Sequence, residues 1–363
     1  GKLEDSLNTT PDALTLHRLF AGYLAQGAKA AAMEVSSIGL HQGRVNGVHF
    51  DVAVFTNLTR DHLEYHGSMA AYGATKELLF DTPGLKAAVL NLDDALGRKI
   101  ALDLAGRGVR VSGYTLKGAV ADGVDVLLSA EGIAATPRGV RFTVVAPQGR
   151  VDIQALVVGE FNVSNLLAVL GTLLASGVPL DRAAAVLQGL TSAPGRMQAI
   201  GGDGRPLAVI DYAHTPDALD KALAAMRDTA RVRGGRLVCV FGCGGNRDPG
   251  KRPLMGEAAG RLADLPIATS DNPRTEDPQA ILRPVEEGLK ASGNQAYRIV
   301  PDRREAIRRA VAIAAAAPGE WAVLVAGKGH EAEQIVGDQR LPFSDREQLT
   351  RAVEERRGPS ARG

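Results

Sequence analysis

The chain has 363 residues, more than one ordinary hydrophobic core holds and enough for two. Its 42 lysines and arginines stand against 41 acidic residues, so no overall field favours nucleic acid, and any anion site has to come from a local cluster. With 45% hydrophobic and 23% charged residues and no apolar run near the roughly 20 residues of a membrane span, the composition is that of a globular protein rather than an integral membrane protein.

The chain opens GKLEDSLNTT, with neither an initiator Met nor a charged-then-apolar leader, so a cytoplasmic and truncated protein is expected. Short apolar, β-branched runs then alternate with helix-length segments. AAAMEVSS, DVAVFTN and AAVLNLD come first, and PLAVIDY, RLVCVFG, LPIATSD and WAVLVAG come later; the alternation predicts βαβ units and parallel sheets.

Glu34, Ser36 and Ser37 close the first run, and Asn57, Arg60, Asp61 and His62 follow the second. A carboxylate and an imidazole on neighbouring strand ends could hold Mg²⁺ if phosphate oxygens and waters complete its octahedron; an ordinary buried, hydrogen-bonded Glu and His fit the same residues. The helix AYGATKELLF carries Lys76, unremarkable on spacing alone. From about Val111 to Val158 the texture changes to VDVLLS, VRFTVV and VDIQALVV with Gly-rich turns, which predicts an antiparallel extension. A helical pair follows, NVSNLLAVLGTLLASG and DRAAAVLQGL. The Pro-Gly pair of TSAPGRMQ then predicts a hinge near residue 194, dividing the chain into 1–193 and 194–355 ahead of a disordered tail, 356–363.

In the second half, four strand-end loops are expected to line one crevice, because ligands of open parallel sheets sit beyond the carboxyl ends of the strands. VIDYAHTPDAL supplies Asp211 and His214, although a lone His is more often structural. FGCGGNRDPGKRPLMG joins free backbone N–H groups and a helix N-terminus to Arg247, Lys251 and Arg252, an anion site unless the basic residues are simply solvated. SDNPRTEDP supplies Asp271, Asn272 and Arg274, which together can read the ammonium and carboxylate of a zwitterion; the alternative has Asp271 capping a helix and Arg274 pairing on the surface. AGKGHE adds Lys328, His330 and Glu331; its glycines are too close and no Ser or Thr follows the Lys, so it is not a Walker loop. Cys239 and Cys243 form neither CxxC nor a zinc pattern and are expected to be structural.

NTTPD, MEVSS, FTNLTRDH, FNVSN, APGRMQ, DYAHTPDAL, FGCGGNRDPGKRP, DNPR and GKGHE, in this order and spacing, resemble the Mur ligases over essentially the whole chain. DNPR resembles the members that add 2,6-diaminopimelate rather than L-lysine. The resemblance implies an α/β chain, with an incomplete central ATP-binding domain (a mostly parallel sheet with an antiparallel extension) and a Rossmann-like C-terminal domain that binds the amino acid. It implies a monomeric, ATP- and Mg²⁺-dependent ligase of peptidoglycan precursor synthesis, adding meso-2,6-diaminopimelate to UDP-N-acetylmuramoyl-L-alanyl-D-glutamate through an acyl phosphate, with no nucleic-acid or membrane partner.

By the same resemblance Thr9, Thr10, Ser37, Gln42 and Arg44 hold the UDP-muramoyl dipeptide, Glu34 and His62 are Mg²⁺ ligands, and Lys76 becomes a carbamate. Asn162, Asn165, Arg196 and Asp211 surround the nucleotide, with His214 as candidate base; Arg247, Asp271, Asn272, Arg274, Gly327 and Glu331 receive diaminopimelate. The chain departs from the family in having no GxxxxGK[ST] and only eight residues before Thr9, so it is expected to start inside the central domain and to be inactive alone. Ile38 stands where some relatives have His. An L-lysine-adding ligase and a fragment that only binds diaminopimelate stay open; DNPR and TTPD speak against a folylpolyglutamate synthetase.

Overall fold

The computed structural model describes residues 8–59, 61–202, 205–317 and 319–355; Arg60 and the expected disordered tail lie outside the described residues. The chain divides into two compact units, 1–131, 143–151 and 164–185 in one and 132–142, 152–163 and 186–363 in the other.

The first half opens with helices α1 (Ala13–Ala25) and α2 (Ser37–His41), strand β1 (Val52–Phe55), and helices α3 (Leu63–His66) and α4 (Met69–Glu77). Then come β2 (Ala87–Asn91), α5 (Ala95–Leu104), β3 (Arg110–Thr115), β4 (Val126–Thr136), β5 (Gly139–Ala146) and β6 (Gly149–Ala155), followed by α6 (Glu160–Ala175) and α7 (Leu180–Gly189). Side-chain caps start the helices where short polar residues were available: Asp12 accepts from Thr15 N, Ser36 from Gly39 N, Ser68 from Ala71 N and Asp94 from Leu96 N. The six strands lie in the order β1-β2-β3-β4-β5-β6. β1 to β4 pair in parallel, and β2 is buried along its whole length, as a strand covered on both faces must be.

The antiparallel part therefore begins at β4 rather than at Val111, which lies in the parallel strand β3. Only two residues, Pro137–Arg138 and Pro147–Gln148, join β4 to β5 and β5 to β6, a connection open to antiparallel neighbours alone. The expected strand through Met33–Ser36 is not formed. β1 is the edge of the sheet, so this segment has no ladder partner among the described residues. Thr10 satisfies it instead, its Oγ1 donating to Glu34 O and accepting from Ser36 N, each at 2.9 Å.

The second half runs β7 (Gln198–Gly201), β8 (Leu207–Asp211), α8 (Pro216–Val232), β9 (Leu237–Cys243), α9 (Lys251–Leu262), β10 (Leu265–Ser270) and α10 (Pro278–Ala291). β11 (Arg298–Ile299), α11 (Arg303–Ala316), β12 (Ala322–Ala326), the hairpin β13 (Glu333–Val336) and β14 (Gln339–Pro342), and α12 (Asp345–Glu354) complete it. Its sheet has the order β11-β10-β9-β12-β8-β7, with all neighbours parallel except the antiparallel β7–β8 pair. Alternate residues of one strand enter different cores: Leu207 and Val209 pack with α8, α9 and α10 side chains, while Ala208 and Ile210 pack with those of α11 and α12. Cys239 and Cys243 are buried and unpaired in this sheet, and burial raises both thiol pKa values, that of Cys243 to about 12.

Candidate active site

In the first unit, Arg44 gathers the first cluster. Its Nη1 donates to Thr10 O at 3.0 Å, and its Nε and Nη2 donate to Gln42 Oε1 at 2.9 and 2.6 Å. Thr10 in turn holds both ends of Glu34–Ser36, so Thr10, Glu34, Gln42 and Arg44 form one hydrogen-bonded group, with exposed Thr9 beside it. Ser37 is buried, and its Oγ is engaged with His66 Nε2 at 2.9 Å.

The second cluster centres on α4, which presents Tyr72 and Lys76 one turn apart on the same face. The Lys76 ammonium lies 5.1 Å from the Tyr72 ring centre, and the His66 ring stacks on that tyrosine at 5.1 Å. Burial lowers the pKa of the half-buried Lys76, against the opposing pull of the Glu34 and Asp61 carboxylates. Desolvation, then the charges of His41, His62 and Lys76, lowers His66. His62 has a left-handed backbone, φ 52°, with Asp61 and Glu64 carboxylates 3.7 and 3.9 Å from its ring nitrogens. Among the described residues no group of three or more His, Cys, Asp or Glu side chains could hold a metal ion unaided. Sequence reasoning passed over Tyr72 and His66, because an aromatic and a histidine at helical spacing carry no motif.

In the second unit, Asp211, Arg196 and His214 converge on Tyr212, which sequence reasoning also missed. The Asp211 carboxylate accepts from Met197 N and Ala213 N, both at 2.8 Å, yet burial still raises its pKa. The Arg196 guanidinium lies 5.1 Å over the Tyr212 ring and the His214 ring is 4.8 Å from it. His214 Nδ1 meets Tyr212 O at 2.8 Å; a carbonyl only accepts, so Nδ1 carries the proton and the neutral ring keeps its lone pair on Nε2. Asn162 and Asn165 stand three apart on α6, half-buried and exposed.

The loop after β9 supplies the expected Gly-rich turn, and Gly250 precedes α9 with no side-chain cap on its N–H groups. Arg247 is exposed there, whereas Arg252 is buried in an ion pair with Glu276 at 2.8 Å. Arg252 is thus withdrawn from the anion site that its spacing suggested: in the first turn of the helix its guanidinium is buried against the Glu276 carboxylate.

Asp271 and Asn272 are buried, and neither caps a helix, since Asp277 caps α10. Arg274 adopts φ 52°, and its Nη1 donates to Gly245 O at 2.7 Å. Gly327, at φ 119°, requires glycine, and a Cβ there would stand 2.7 Å from Asp271 Oδ2; a Cβ on Gly244 would stand 2.9 Å from Arg274 Nη1 and displace the guanidinium. Glu331 accepts on Oε2 from Asn272 Nδ2 at 2.9 Å and from the fully buried Lys328 Nζ at 2.8 Å. Burial raises the Glu331 carboxyl, but the bonds from Lys328 and Asn272 outweigh it and leave the pKa below the ordinary value. The hairpin fastens this group from behind: Ile335 N donates to Asn272 Oδ1 at 3.0 Å and Gly337 N to Arg274 O at 2.7 Å. Asp271, Asn272, Arg274, Gly327 and Glu331 therefore form one wall, in which Arg274 and the buried Lys328 balance the two carboxylates.

Residues 1–173 match a family model described as the Mur ligase middle domain, and residues 195–329 match one described as the Mur ligase glutamate ligase domain. The UDP-N-acetylmuramoyl-L-alanyl-D-glutamate–2,6-diaminopimelate ligase of Chromobacterium violaceum is 52% identical over 345 residues, which is 95% of this chain and 67% of that protein. The ligase of the same name from a Janthinobacterium species is 49% identical over 358 residues, 98% of this chain and 69% of its own length. A solved structure of a ligase of this name matches at 40% identity with a TM-score of 0.70, covering 95% of this chain and 68% of that one.

Proposed function

Since the chain belongs to the Mur ligase family, we propose that it serves the ATP-dependent joining of meso-2,6-diaminopimelate to UDP-N-acetylmuramoyl-L-alanyl-D-glutamate in peptidoglycan synthesis. The observation that carries this reading is the wall at the strand ends of the second unit, where Asp271 and Glu331 offer carboxylates to ammonium groups beside the Arg274 guanidinium. Diaminopimelate differs from lysine by one distal carboxylate, which a guanidinium can grip bidentately. Arg247 and the uncapped start of α9 extend the wall toward anions.

Thr9, Thr10, Ser37, Gln42 and Arg44 bind the UDP-muramoyl dipeptide in this reading, and residues 1–193 and 194–355 act as central and C-terminal domains joined at the APGRMQ loop. Asn162, Asn165, Arg196 and Asp211 flank the nucleotide, Arg196 being held ready by its stacking on Tyr212. Glu34 and His62 would hold Mg²⁺; one carboxylate and one imidazole suit that ion only if substrate oxygens and waters complete the shell. Bound there, the ion supplies neutralisation of phosphate charge. The lowered pKa of Lys76 leaves more of its amine unprotonated, the form that adds CO₂ and releases a proton to become a carbamate. The terminal carboxylate of the dipeptide takes the γ-phosphoryl of ATP, and the amine of diaminopimelate then displaces phosphate from the acyl carbon. A protonated amine cannot attack; His214, with its lone pair on Nε2, is the group we assign to take that proton. No helix among the described residues is long and apolar enough to cross a membrane.

Calorimetric titration with meso-diaminopimelate, L-lysine and L-glutamate, followed by a coupled ADP-release assay with the UDP-muramoyl dipeptide, tests the reading. Binding of diaminopimelate in clear preference to the other two is expected, with ADP release by the catalytically complete protein and none by its Lys76→Ala variant, bicarbonate added or not. Preference for lysine, or normal turnover without Lys76, would overturn it.

A further inference from the structure

Lys328 is a fully buried ammonium inside the amino-acid wall. Its Nζ donates to Asn272 Oδ1 at 3.0 Å and to Glu331 Oε2 at 2.8 Å, and Asn272 Nδ2 closes the triangle on the same Oε2 at 2.9 Å. Two hydrogen bonds thus fix one carboxylate oxygen of Glu331, a third ties their donors together, and Oε1 is left as the oxygen that it can offer to a ligand. A burial this complete is costly for a lysine unless its charge is matched, and Glu331 is the match.

The charges of the wall can be counted. Asp271 and Glu331 carry one negative charge each; Arg274 and Lys328 carry one positive charge each, so these four groups sum to zero, and Arg247 beside them is exposed, its charge screened by solvent. Arg303, buried behind Gly327, is already neutralised by Asp345 through bonds of 2.8 and 2.6 Å. A neutral wall suits a ligand whose own ammonium and carboxylate groups balance. Without Lys328 the same wall would carry a net charge of −1, which favours a cationic amino acid and repels a distal carboxylate.

We propose that Lys328 is a specificity-determining residue: it orients Glu331 and, by cancelling one of the two buried carboxylates, makes the pocket select an amino acid with a balancing distal carboxylate over lysine. The proposal rests on the reading of this wall as the diaminopimelate site. It differs from the role of Arg274, because Lys328 faces the protein and acts through Glu331 and through net charge.

The test is the ratio of affinities for meso-diaminopimelate and L-lysine, measured by calorimetry and by lysine competition, in the unaltered chain, Lys328→Met and Lys328→Gln. Glutamine keeps a donor for Asn272 and Glu331 while losing the charge, so it stands in if the methionine variant fails to fold; circular dichroism melting monitors that. Both variants are expected to bind diaminopimelate at least tenfold more weakly, with lysine affinity unchanged or higher, so that the preference narrows at least tenfold. A ratio within threefold of the unaltered chain, whether both affinities fall together or neither changes, overturns the proposal and leaves Lys328 a packing residue. If the unaltered chain binds neither amino acid, it is the assignment of the pocket that fails.

Discussion

Arg274 combines three features that rarely meet in one residue: a left-handed backbone, a guanidinium hydrogen-bonded to Gly245 O, and a main chain clasped by Ile335 and Gly337. Its fork is therefore pre-positioned, and little rotamer entropy remains to be lost on binding a carboxylate. Arg274→Ala should cost about 2 kcal/mol or more of diaminopimelate binding, roughly thirtyfold in Kd, since the ligand carboxylate loses its partner in a desolvated site. Calorimetry checks this, and a change within twofold would remove Arg274 from the site. Glu331 allows a pH prediction with a definite sign. Its folded pKa lies below the ordinary 4.5, so the stabilisation linked to its charge is present above pH 4.5 and fades as pH falls through the lower folded value. Glu331→Gln should accordingly lower the urea midpoint at pH 7 and converge with the unaltered chain at acid pH; a difference that stays constant to pH 3 would show that the bond to Lys328 does not depend on ionisation.

Helices α9 and α10 approach each other closely enough to exclude any side chain at two positions. A Cβ on Gly288 would stand 1.9 Å from Pro253 O, and one on Gly256 would stand 2.1 Å from Val285 O. Both helices also support the strand-end loops that carry Arg247 and Arg274. Gly288→Ala should therefore destabilise the second unit by about 1–3 kcal/mol, the usual cost of overfilling a packed contact, despite alanine's better helix propensity. Thermal melting reads the effect, and an unchanged or raised Tm would mean that the helices separate without penalty. The hairpin β13–β14 is an element that sequence reading did not find, as are the short edge strands β7 and β11. The hairpin's residues are mostly exposed, so no apolar alternation marks it. The Gly337–Asp338 turn was the available sign, since Gly337 takes φ 59° in a two-residue connection.

Among the described residues, the buried side chains form separate clusters, including one around Phe55, Leu90 and Ile100, a small one around Leu16, Val45 and Val48, and two on the faces of the second sheet. Heating is expected to produce two unfolding transitions rather than one. Diaminopimelate at a hundred times its Kd should raise only the transition of the second unit, by about 2.7 kcal/mol in stability. A single cooperative melt, or a ligand shift of both transitions, would show that the units do not unfold independently. The parallel strands, the helices between them and the strand-end position of DNPR and GKGHE were legible in the sequence, because local apolar patterning and glycine placement encode them. The strand expected at Met33–Ser36 was not formed, because a strand exists only where a ladder partner does, and pairing is a property of distant residues. The amino-acid wall divides in the same way. Residue chemistry alone singled out Asp271, Asn272 and Arg274 as groups able to read a zwitterion and put Glu331 in another loop of the same crevice. Lys328 and Glu331 are only three residues apart, but only the tertiary structure could show that Asn272, 59 residues from Glu331, joins them and that Glu276, 24 residues from Arg252, withdraws that guanidinium, because such partners are chosen by distance in space.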